Sequence, residues 1–180
     1  MVTGATSGIG RACALKFGKA GYRVIVTGRR ADALAELSAE LADAGAESLV
    51  LVFDVRDRKL AEMSVRSLPQ DWKEIDVLVN NAGLALGLEP EYEGDFEDWD
   101  TMIDTNVKGL LTMTRLVVPG MVKRGCGQII NIGSVAGDAA YAGGNVYCAT
   151  KAAVKTITDG LRIDVADTAL RVTNIKPGLV

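Results

Sequence analysis

The chain has 180 residues, of which 48% are hydrophobic and 24% are charged, and its formal net charge at pH 7 is −3. A chain of this length can fold as one domain with a substantial core, and its acidic balance disfavours nucleic acid or an anionic membrane as a partner. The sequence contains no histidine. That absence excludes Ser-His-Asp triads, HExxH zinc sites and Cys-His nucleophile pairs.

The location of the protein and its lack of a metal site are also predicted from the sequence. No apolar run approaches the roughly 18 residues that a membrane span needs, and the N-terminus has no signal-peptide pattern. We therefore expect a cytoplasmic protein. The three cysteines, Cys13, Cys126 and Cys148, lack the spacing of a zinc site or a disulfide framework. We expect each to be a small packing residue, and we expect no bound metal.

Short apolar segments alternate with helical patterns from one end of the chain to the other. Runs of β-branched residues between glycines predict buried strands, and leucines at helical spacing predict helices. The predicted strands are 22–28, 48–55, 76–83, 127–134 and 170–178. The predicted helices are 31–45, 58–68, 96–123 and 145–167. We expect Pro119 to kink or end the third of these helices, and we expect 84–95 to be a loop.

This alternation predicts an α/β fold with a doubly wound parallel sheet, the Rossmann fold. Parallel strands need right-handed helical crossovers, and these cover both faces of the sheet. We expect residues 1–180 to form a single dinucleotide-binding domain. Ligands of such sheets bind beyond the carboxyl ends of the strands, so polar residues there are the first candidates for a site.

A glycine-rich turn, TGATSGIG (3–10), opens the chain. Gly4, Gly8 and Gly10 lie between a short strand remnant and a predicted helix. Glycines at these positions allow a tight turn and let a pyrophosphate approach the backbone N–H groups of a helix N-terminus. The spacing is neither GxGxxG nor that of a Walker motif. A plain tight turn therefore remains the alternative.

The end of the strand at 22–28 indicates which dinucleotide would bind. In Rossmann strands that prefer NAD, an Asp or Glu here bonds the ribose 2′-hydroxyl. In this chain Gly28 is followed by Arg29 and Arg30. A guanidinium pairs with a 2′-phosphate, which a carboxylate would repel. The sequence therefore predicts NADP, with two arginines that merely solvate a loop as the alternative.

The stretch NVYCATKAAV (145–154) places Tyr147 and Lys151 four residues apart, on one face of a predicted helix. Only about one free tyrosine in a thousand is ionised at pH 7. The Lys151 ammonium and the positive ring of an oxidised nicotinamide would favour the phenolate, and roughly 3 to 4 kcal/mol of such stabilisation would make Tyr147 a base near neutral pH. An ordinary helix face remains the alternative.

Several motifs together resemble the short-chain dehydrogenase/reductases over nearly the whole chain. They are TGATSGIG (3–10), DV (54–55), NNAG (80–83), Asn106, IINIGS (129–134), YCATK (147–151) and PG (177–178). Within that family, NNAGLALGLEP, WDTMIDTNVKGLL and YAGGNVYCATKA are most similar to the NADP-dependent 3-hydroxy acid dehydrogenases. The resemblance implies oxidation of serine, allo-threonine and 3-hydroxypropionate-type acids, reduction of malonic semialdehyde in reverse, and a homo-oligomer, which is a tetramer in the family.

The resemblance also implies a catalytic set of Asn106, Ser134, Tyr147 and Lys151. Ser134 would hydrogen-bond the substrate oxygen and hold it against Tyr147, the proton acceptor, so these two residues would contact the substrate. Asn106 would steady a water that links Lys151 to solvent. Taken alone, Ser134 could instead cap a turn, and Asn106 could be a helix-end residue.

The resemblance and the glycine turn together give a set of expected cofactor contacts. The set is Gly4, Ser7, Gly8, Ile9, Gly10, Arg29, Arg30, Asp54, Val55, Asn81, Ala82, Gly83, Tyr147, Lys151, Pro177 and Gly178. Asp54 and Val55 would border the adenine, 81–83 its ribose, and 177–178 the nicotinamide, with Lys151 bonding the nicotinamide ribose. Asp54 could also be a helix N-cap, and NNAG a plain turn.

The sequence leaves the substrate open. A hydroxy acid needs a partner for its carboxylate, and Tyr141 and Asn145 are the candidates, with loop packing as the alternative. In the family a substrate lid follows the Pro-Gly turn, whereas this chain ends at Val180 and starts two residues before its glycine turn. We therefore expect a domain truncated at both ends and without the lid. Two alternatives to a 3-hydroxy acid dehydrogenase remain. One is another short-chain carbonyl reductase, such as a 3-oxoacyl-thioester reductase, and the other is a non-catalytic NADP-binding fragment.

Overall fold

The computed structural model describes residues 1–179 as alternating strands and helices. The strands are β1 (Val24–Gly28), β2 (Ser48–Val52), β3 (Val77–Asn80), β4 (Gln128–Ile132) and β5 (Arg171–Ile175). The helices are α1 (Gly8–Lys19), α2 (Ala31–Asp43), α3 (Arg58–Arg66), α4 (Phe96–Ile103), α5 (Leu110–Arg124) and α6 (Asn145–Asp164). None of these helices is both long and apolar enough to cross a bilayer. The predicted order of elements is confirmed, although each strand is shorter than predicted.

The sheet is parallel, and its order is that of a doubly wound fold. Strand β1 pairs with β2, and β4 lies between β3 and β5. Val2 connects the two groups, because it forms parallel bridges with both Val26 and Val79. Residues 1–3 therefore occupy the centre of the sheet, between β1 and β3. The resulting order, β2-β1-(1–3)-β3-β4-β5, confirms the predicted fold class.

Apolar side chains cover both faces of this sheet. Alternate residues of β1 point to opposite sides, so Ile25 belongs to one buried cluster while Val24 and Val26 belong to the other. Helices α3 and α5 cover the first face, and α1 and α2 cover the second. Since both faces are filled, a ligand has room only at an end of the sheet.

The predicted helix over 96–123 is present, but it is not regular. Helix α4 runs into α5 through a π-helical turn over Asp104–Gly109, and this turn contains Asn106. The expectation that Pro119 could end the helix is wrong, because α5 continues to Arg124. A proline removes only one backbone hydrogen bond, and buried side chains such as Met121 hold the last turns against the sheet. Single π-turns inside helices are frequent at functional sites.

The three cysteines do not share one environment. Cys148 is buried and Cys13 is partly buried, as expected of packing residues. Cys126 is exposed, so the expectation is wrong for this residue. The reason is its place in the turn between α5 and β4, where Gly125 has a φ of +71° and Gly127 a φ of +156°.

A chain of buried polar side chains ties the sheet to its helices. Asn80 and Asn131, opposite each other in β3 and β4, are joined by a 2.9 Å bond from Asn80 Nδ2 to Asn131 Oδ1. Asn80 Nδ2 also donates to Thr114 Oγ1 at 3.1 Å, and Asn131 Nδ2 donates to Thr158 Oγ1 at 2.9 Å. Thr158 Oγ1 in turn donates to Val154 O. This network fixes the position of α6, which carries the tyrosine–lysine pair.

Replacing Asn131 by alanine should destabilise the fold. The change removes one hydrogen-bond partner from the buried Asn80 amide and one from the buried Thr158 hydroxyl, and such a loss costs about 1–3 kcal/mol. The midpoint of urea unfolding should fall by the corresponding amount. As a control, Asn145→Ala removes only an exposed bond to Glu91 and should change stability by less than about 0.5 kcal/mol. Equal losses of stability in the two variants would contradict the conclusion that the buried network stabilises the fold.

Candidate active site

A cavity of about 970 Å³ opens where the strands end. Its size and place are those of a ligand site in a doubly wound sheet. Most of the expected site residues line it: Gly4, Ser7, Gly8, Ile9, Arg29, Arg30, Asp54, Val55, Asn81, Ala82, Gly83, Ser134, Tyr147, Lys151, Pro177 and Gly178. Of the expected catalytic and cofactor-binding residues, Gly10 and Asn106 do not line it.

The glycine turn forms one end of the cavity. Gly4 has a φ of +62° and Gly8 a φ of +53°, a region that residues with a Cβ rarely adopt. A Cβ on Gly4 would also lie 2.8 Å from the Cα of Ala82. No atom lies within 4 Å of the corresponding position at Gly8, the first residue of α1. The backbone at the start of α1 is therefore open to an anion, with N–H groups that have no partner inside the helix.

Gly10 serves packing rather than contact with the cavity, which differs from its expected role. A Cβ on Gly10 would overlap the side-chain amide of Asn81 and the carbonyl oxygen of Gly4. Asn81 Nδ2 uses this space to donate to Thr3 O and Gly4 O, each at 3.0 Å. Thr3 Oγ1 accepts bonds from the N–H groups of Asn81 and Ala82. Sequence reasoning missed Thr3, although it is the first residue of the glycine motif.

Two arginines lie at the end of β1, beside a carboxylate that has its own partner. Arg30 Nη2 donates to Thr6 Oγ1 at 2.9 Å, and Arg29 Nη1 lies 3.9 Å from Asp54 Oδ2. Arg56 holds Asp54 through Nε at 2.9 Å and Nη2 at 2.7 Å. Partial burial opposes the ionisation of Asp54, but the bonds and charge of Arg56, with Arg29, outweigh it and lower the pKa of Asp54.

The helix-cap alternative for Asp54 is wrong. Helix α3 is capped by Asp57, whose Oδ1 accepts from the N–H of Leu60 at 2.9 Å. Asp54 instead lies two residues beyond β2 and lines the cavity. Arg56, which neutralises it, was not found from the sequence, because nothing in the spacing marks a surface arginine as its partner.

The tyrosine–lysine pair has the expected arrangement. Lys151 Nζ lies 5.7 Å from the centre of the Tyr147 ring. It also donates to Ile132 O, the last residue of β4, at 2.9 Å. Ser134 lines the same cavity, and its Oγ accepts from the N–H of Ala136 at 3.1 Å. Ser134 thus caps a short turn and also faces the cavity, so its two alternative roles are compatible.

Lys151 is a buried cation, with only 7% of its surface exposed. Burial lowers its pKa from 10.5 to about 8. At pH 7 roughly nine molecules in ten still carry the ammonium charge. The buried ammonium is therefore a positive charge that lies beside the Tyr147 ring.

The side chain of Asn106 bonds only protein groups, and its expected role of steadying a water stays a prediction. Its Oδ1 accepts from Leu84 N at 2.9 Å, while Nδ2 donates to Leu84 O at 2.8 Å and to Thr150 Oγ1 at 3.0 Å. Leu84 follows NNAG, and Thr150 precedes Lys151. A Cβ on Gly83 would lie 3.1 Å from Asn106 Oδ1. Asn106 therefore holds the loop after β3 against α6.

Thr105 and Tyr141 also line the cavity. The hydroxyl of Thr105 is buried, and none of the described residues bonds it, although Thr105 lines the cavity. Sequence reasoning missed it because no motif or spacing marks Thr105 as a site residue. Of the two candidates for a carboxylate partner, Tyr141 lines the cavity, whereas Asn145 does not and instead donates to Glu91 Oε2 at 2.9 Å.

Comparison with known proteins agrees with this geometry. The sequence matches the family described as short chain dehydrogenase over residues 1–180. The chain belongs to the short-chain dehydrogenase family. The NADP-dependent 3-hydroxy acid dehydrogenase YdfG of Salmonella typhi is 57% identical over 180 residues, which are 100% of this chain and 71% of that protein. The family predicted from the motifs is therefore confirmed.

Another relative and one solved structure are also similar. Sulfoacetaldehyde reductase 2 of Chromohalobacter salexigens is 46% identical over 180 residues, covering 99% of this chain and 71% of that protein. The closed form of serine dehydrogenase complexed with NADP⁺ superimposes with a TM-score of 0.93 at 56% identity, covering 99% of this chain and 71% of that one. The doubly wound fold predicted from the sequence is thus the fold of a solved, NADP-bound relative.

The lowered pKa of Lys151 predicts how stability depends on pH. Between about pH 8 and 10.5 the unfolded lysine keeps a proton that the folded one releases, so the burial penalty disappears and the free energy of unfolding rises with pH. The rise is on the order of 3 kcal/mol at most, at 1.36 kcal/mol per pKa unit. Urea unfolding of Tyr147→Phe and of Tyr147→Phe/Lys151→Met isolates this effect, because both variants lack the neighbouring phenol. If the difference in free energy of unfolding between the two variants does not change with pH, the prediction is contradicted.

Proposed function

We propose that the chain is an NADP-dependent oxidoreductase that transfers a hydride between the nicotinamide and the hydroxyl or carbonyl carbon of a small 3-hydroxy acid. The substrates would be of the serine, allo-threonine or 3-hydroxypropionate type. The observation that carries the proposal is the meeting of Tyr147, Lys151 and Ser134 in one cavity with a glycine turn and two arginines. We further propose a cytoplasmic location and a homo-oligomer, a tetramer as in the family.

The cavity fits NADP. The open backbone at Gly8 would hold the pyrophosphate, and the guanidinium groups of Arg29 and Arg30 would hold the 2′-phosphate. Asp54 would not repel that phosphate strongly, because Arg56 neutralises it. When bound, NADP⁺ would accept the hydride of the alcohol carbon, and NADPH would supply it to the carbonyl carbon.

The proton would be moved by Tyr147. In the oxidative direction its phenolate oxygen takes the proton of the substrate hydroxyl, and in the reductive direction its hydroxyl returns the proton. Ser134 Oγ would hold the reacting oxygen in place with a hydrogen bond. Lys151 would stabilise the phenolate, and its bond to Ile132 O keeps the ammonium beside the ring. These roles use a tyrosine where a chain with histidine could use an imidazole.

The relatives support a small substrate with an anionic group. A 3-hydroxy acid carries a carboxylate two carbons from its hydroxyl carbon, and sulfoacetaldehyde carries a sulfonate on the methylene carbon next to its aldehyde carbon. Proteins named for these substrates are 57% and 46% identical to this chain, over 100% and 99% of its length. A substrate panel of hydroxy acids and 3-oxoacyl thioesters would distinguish the proposed reaction from that of the alternative carbonyl reductase.

Replacing Tyr147 by phenylalanine should remove most of the activity. The ring and its packing remain, but the group that takes the proton is lost, so the turnover number should fall by roughly 10²-fold or more. NADP binding, measured by fluorescence titration, should be retained. Tyr92→Phe is a matched control, because this tyrosine is 85% exposed and lies outside the cavity. Turnover of Tyr147→Phe close to that of the unmodified chain would refute the proton-transfer role.

Replacing Arg29 and Arg30 together by alanine should weaken NADP binding selectively. Each guanidinium can make a charge-assisted bond to the 2′-phosphate, so the dissociation constant for NADP should rise about 10- to 100-fold. The constant for NAD, which lacks that phosphate, should change little. Arg66→Ala, which removes a surface arginine paired with Glu62, is the control. Equal weakening for both dinucleotides would mean that the arginines do not read the 2′-phosphate.

A further inference from the structure

The wall of the cavity next to Ser134 is almost entirely apolar. Val135, Ala136, Ala139 and Ala140 line it, and the only polar group that residues 135–141 add to the lining is the phenol of Tyr141. A substrate held at Ser134 by its hydroxyl must place its second polar group against this wall or turn it to solvent. Within residues 135–141, Tyr141 is therefore the side chain in the lining that can hydrogen-bond this second polar group.

The one charged residue of this segment is directed elsewhere. Asp138 Oδ1 accepts from Lys155 Nζ at 3.1 Å and from Lys176 Nζ at 2.9 Å. Both ion pairs lie outside the cavity lining. Asp138 thus leaves the cavity without a carboxylate on this side, so an anionic substrate would meet no repulsion there.

The Tyr141 ring is held in place by a glycine turn. A Cβ on Gly144 would overlap this ring, with Cδ2 of Tyr141 only 2.7 Å away. The N–H of Gly144 donates to Tyr141 O at 3.0 Å, which closes the turn. Gly143 has a φ of +72°, and a Cβ there would lie 2.9 Å from the carbonyl carbon of Leu88. Both glycines are therefore needed for the ring to lie as it does.

The environment of Tyr141 keeps its phenol protonated. Partial burial raises its pKa, and negative charge on Cys148 or Tyr147 would raise it further. Tyr141 and Tyr147 line the same cavity. About half of the Tyr141 side chain, 49%, remains exposed, and it lines the cavity. A protonated phenol that lines this cavity can donate a hydrogen bond to a bound substrate.

The cations that line the cavity are placed for other tasks. Arg29 and Arg30 lie at the end of β1, on the side of the glycine turn. Lys151 is buried, and its ammonium donates to Ile132 O beside Tyr147. Among the described residues, the substrate wall therefore offers a neutral donor rather than a cation.

We propose that Tyr141 binds the anionic group of the substrate, its hydroxyl donating a hydrogen bond to a carboxylate oxygen while Ser134 and Tyr147 hold the reacting hydroxyl. This inference rests on the proposed function and adds a specificity-determining residue to it. Gly144 acts as a positioning residue, because it gives the Tyr141 ring its space.

The test compares a hydroxy acid with its neutral analogue in the Tyr141→Phe variant. The KM for 3-hydroxypropionate should rise about 10- to 100-fold, which is the effect of losing one hydrogen bond to a charged group. The turnover number should stay within about twofold, since the reacting groups are unchanged. The KM for 1,3-propanediol, in which a hydroxymethyl group replaces the carboxylate, should not change in this variant. The dissociation constant for NADP should also stay the same.

A pair of glycine variants tests how the ring is positioned. Gly144→Ala should displace the Tyr141 ring and raise the KM for 3-hydroxypropionate. Gly160→Ala, inside the helix α6 that follows Gly144, places its Cβ where no atom lies within 4 Å and should leave that KM unchanged. Circular dichroism and thermal unfolding verify that both variants are folded.

Two outcomes would overturn the inference. One is an unchanged KM for 3-hydroxypropionate in Tyr141→Phe. The other is an equal rise in KM for the acid and the diol. Absence of NADP-linked oxidation of serine, 3-hydroxypropionate and the diol by the unmodified chain would instead refute the proposed function. In that case calorimetric titration of 3-hydroxypropionate into the NADP-saturated protein still tests Tyr141, because weaker binding in Tyr141→Phe supports the contact and equal binding refutes it.

Discussion

The buried ammonium of Lys151 is the charge on which the proposed chemistry depends. Burying a cation is unfavourable unless its bonds are made inside the protein, and here the bond goes to Ile132 O at the end of β4. The same burial that lowers the pKa of Lys151 to about 8 also strengthens its field at Tyr147. Several structural features keep this charge in place: the polar network that ties α6 to the sheet, the bond from Asn106 to Thr150, and the close approach of Gly83.

The site exists because each strand ends early. The sheet stops at Gly28, Val52, Asn80, Ile132 and Ile175. The residues that follow leave the ladder and turn their side chains or backbone groups toward the cavity, and they include the arginines after β1, Asp54, Asn81 and Ser134. Hydrogen bonds such as those between Asn81 and residues 3–4 then fix these segments to one another. The carboxyl end of the sheet therefore supplies both the binding groups and their supports.

Much of this could be predicted from the sequence, because periodicity and glycine spacing are local properties. The βα alternation gave the doubly wound sheet, and the four-residue spacing of Tyr147 and Lys151 gave the pair on one helix face. What could not be predicted depends on contacts between distant segments. The neutralisation of Asp54 by Arg56, the space that Gly10 leaves for Asn81, and the capture of the Asn106 amide by Leu84 and Thr150 are of this kind.

The most direct test of the central claim is the rate of hydride transfer in a single turnover, followed by NADPH absorbance, when Lys151 is changed to methionine or arginine. Methionine keeps the length and packing of the side chain but removes its charge, whereas arginine keeps the charge. The account predicts that Lys151→Met slows the step by on the order of 10²-fold or more, and that Lys151→Arg retains a larger part of the rate. A Lys151→Met variant that transfers hydride as fast as the unmodified chain would contradict it.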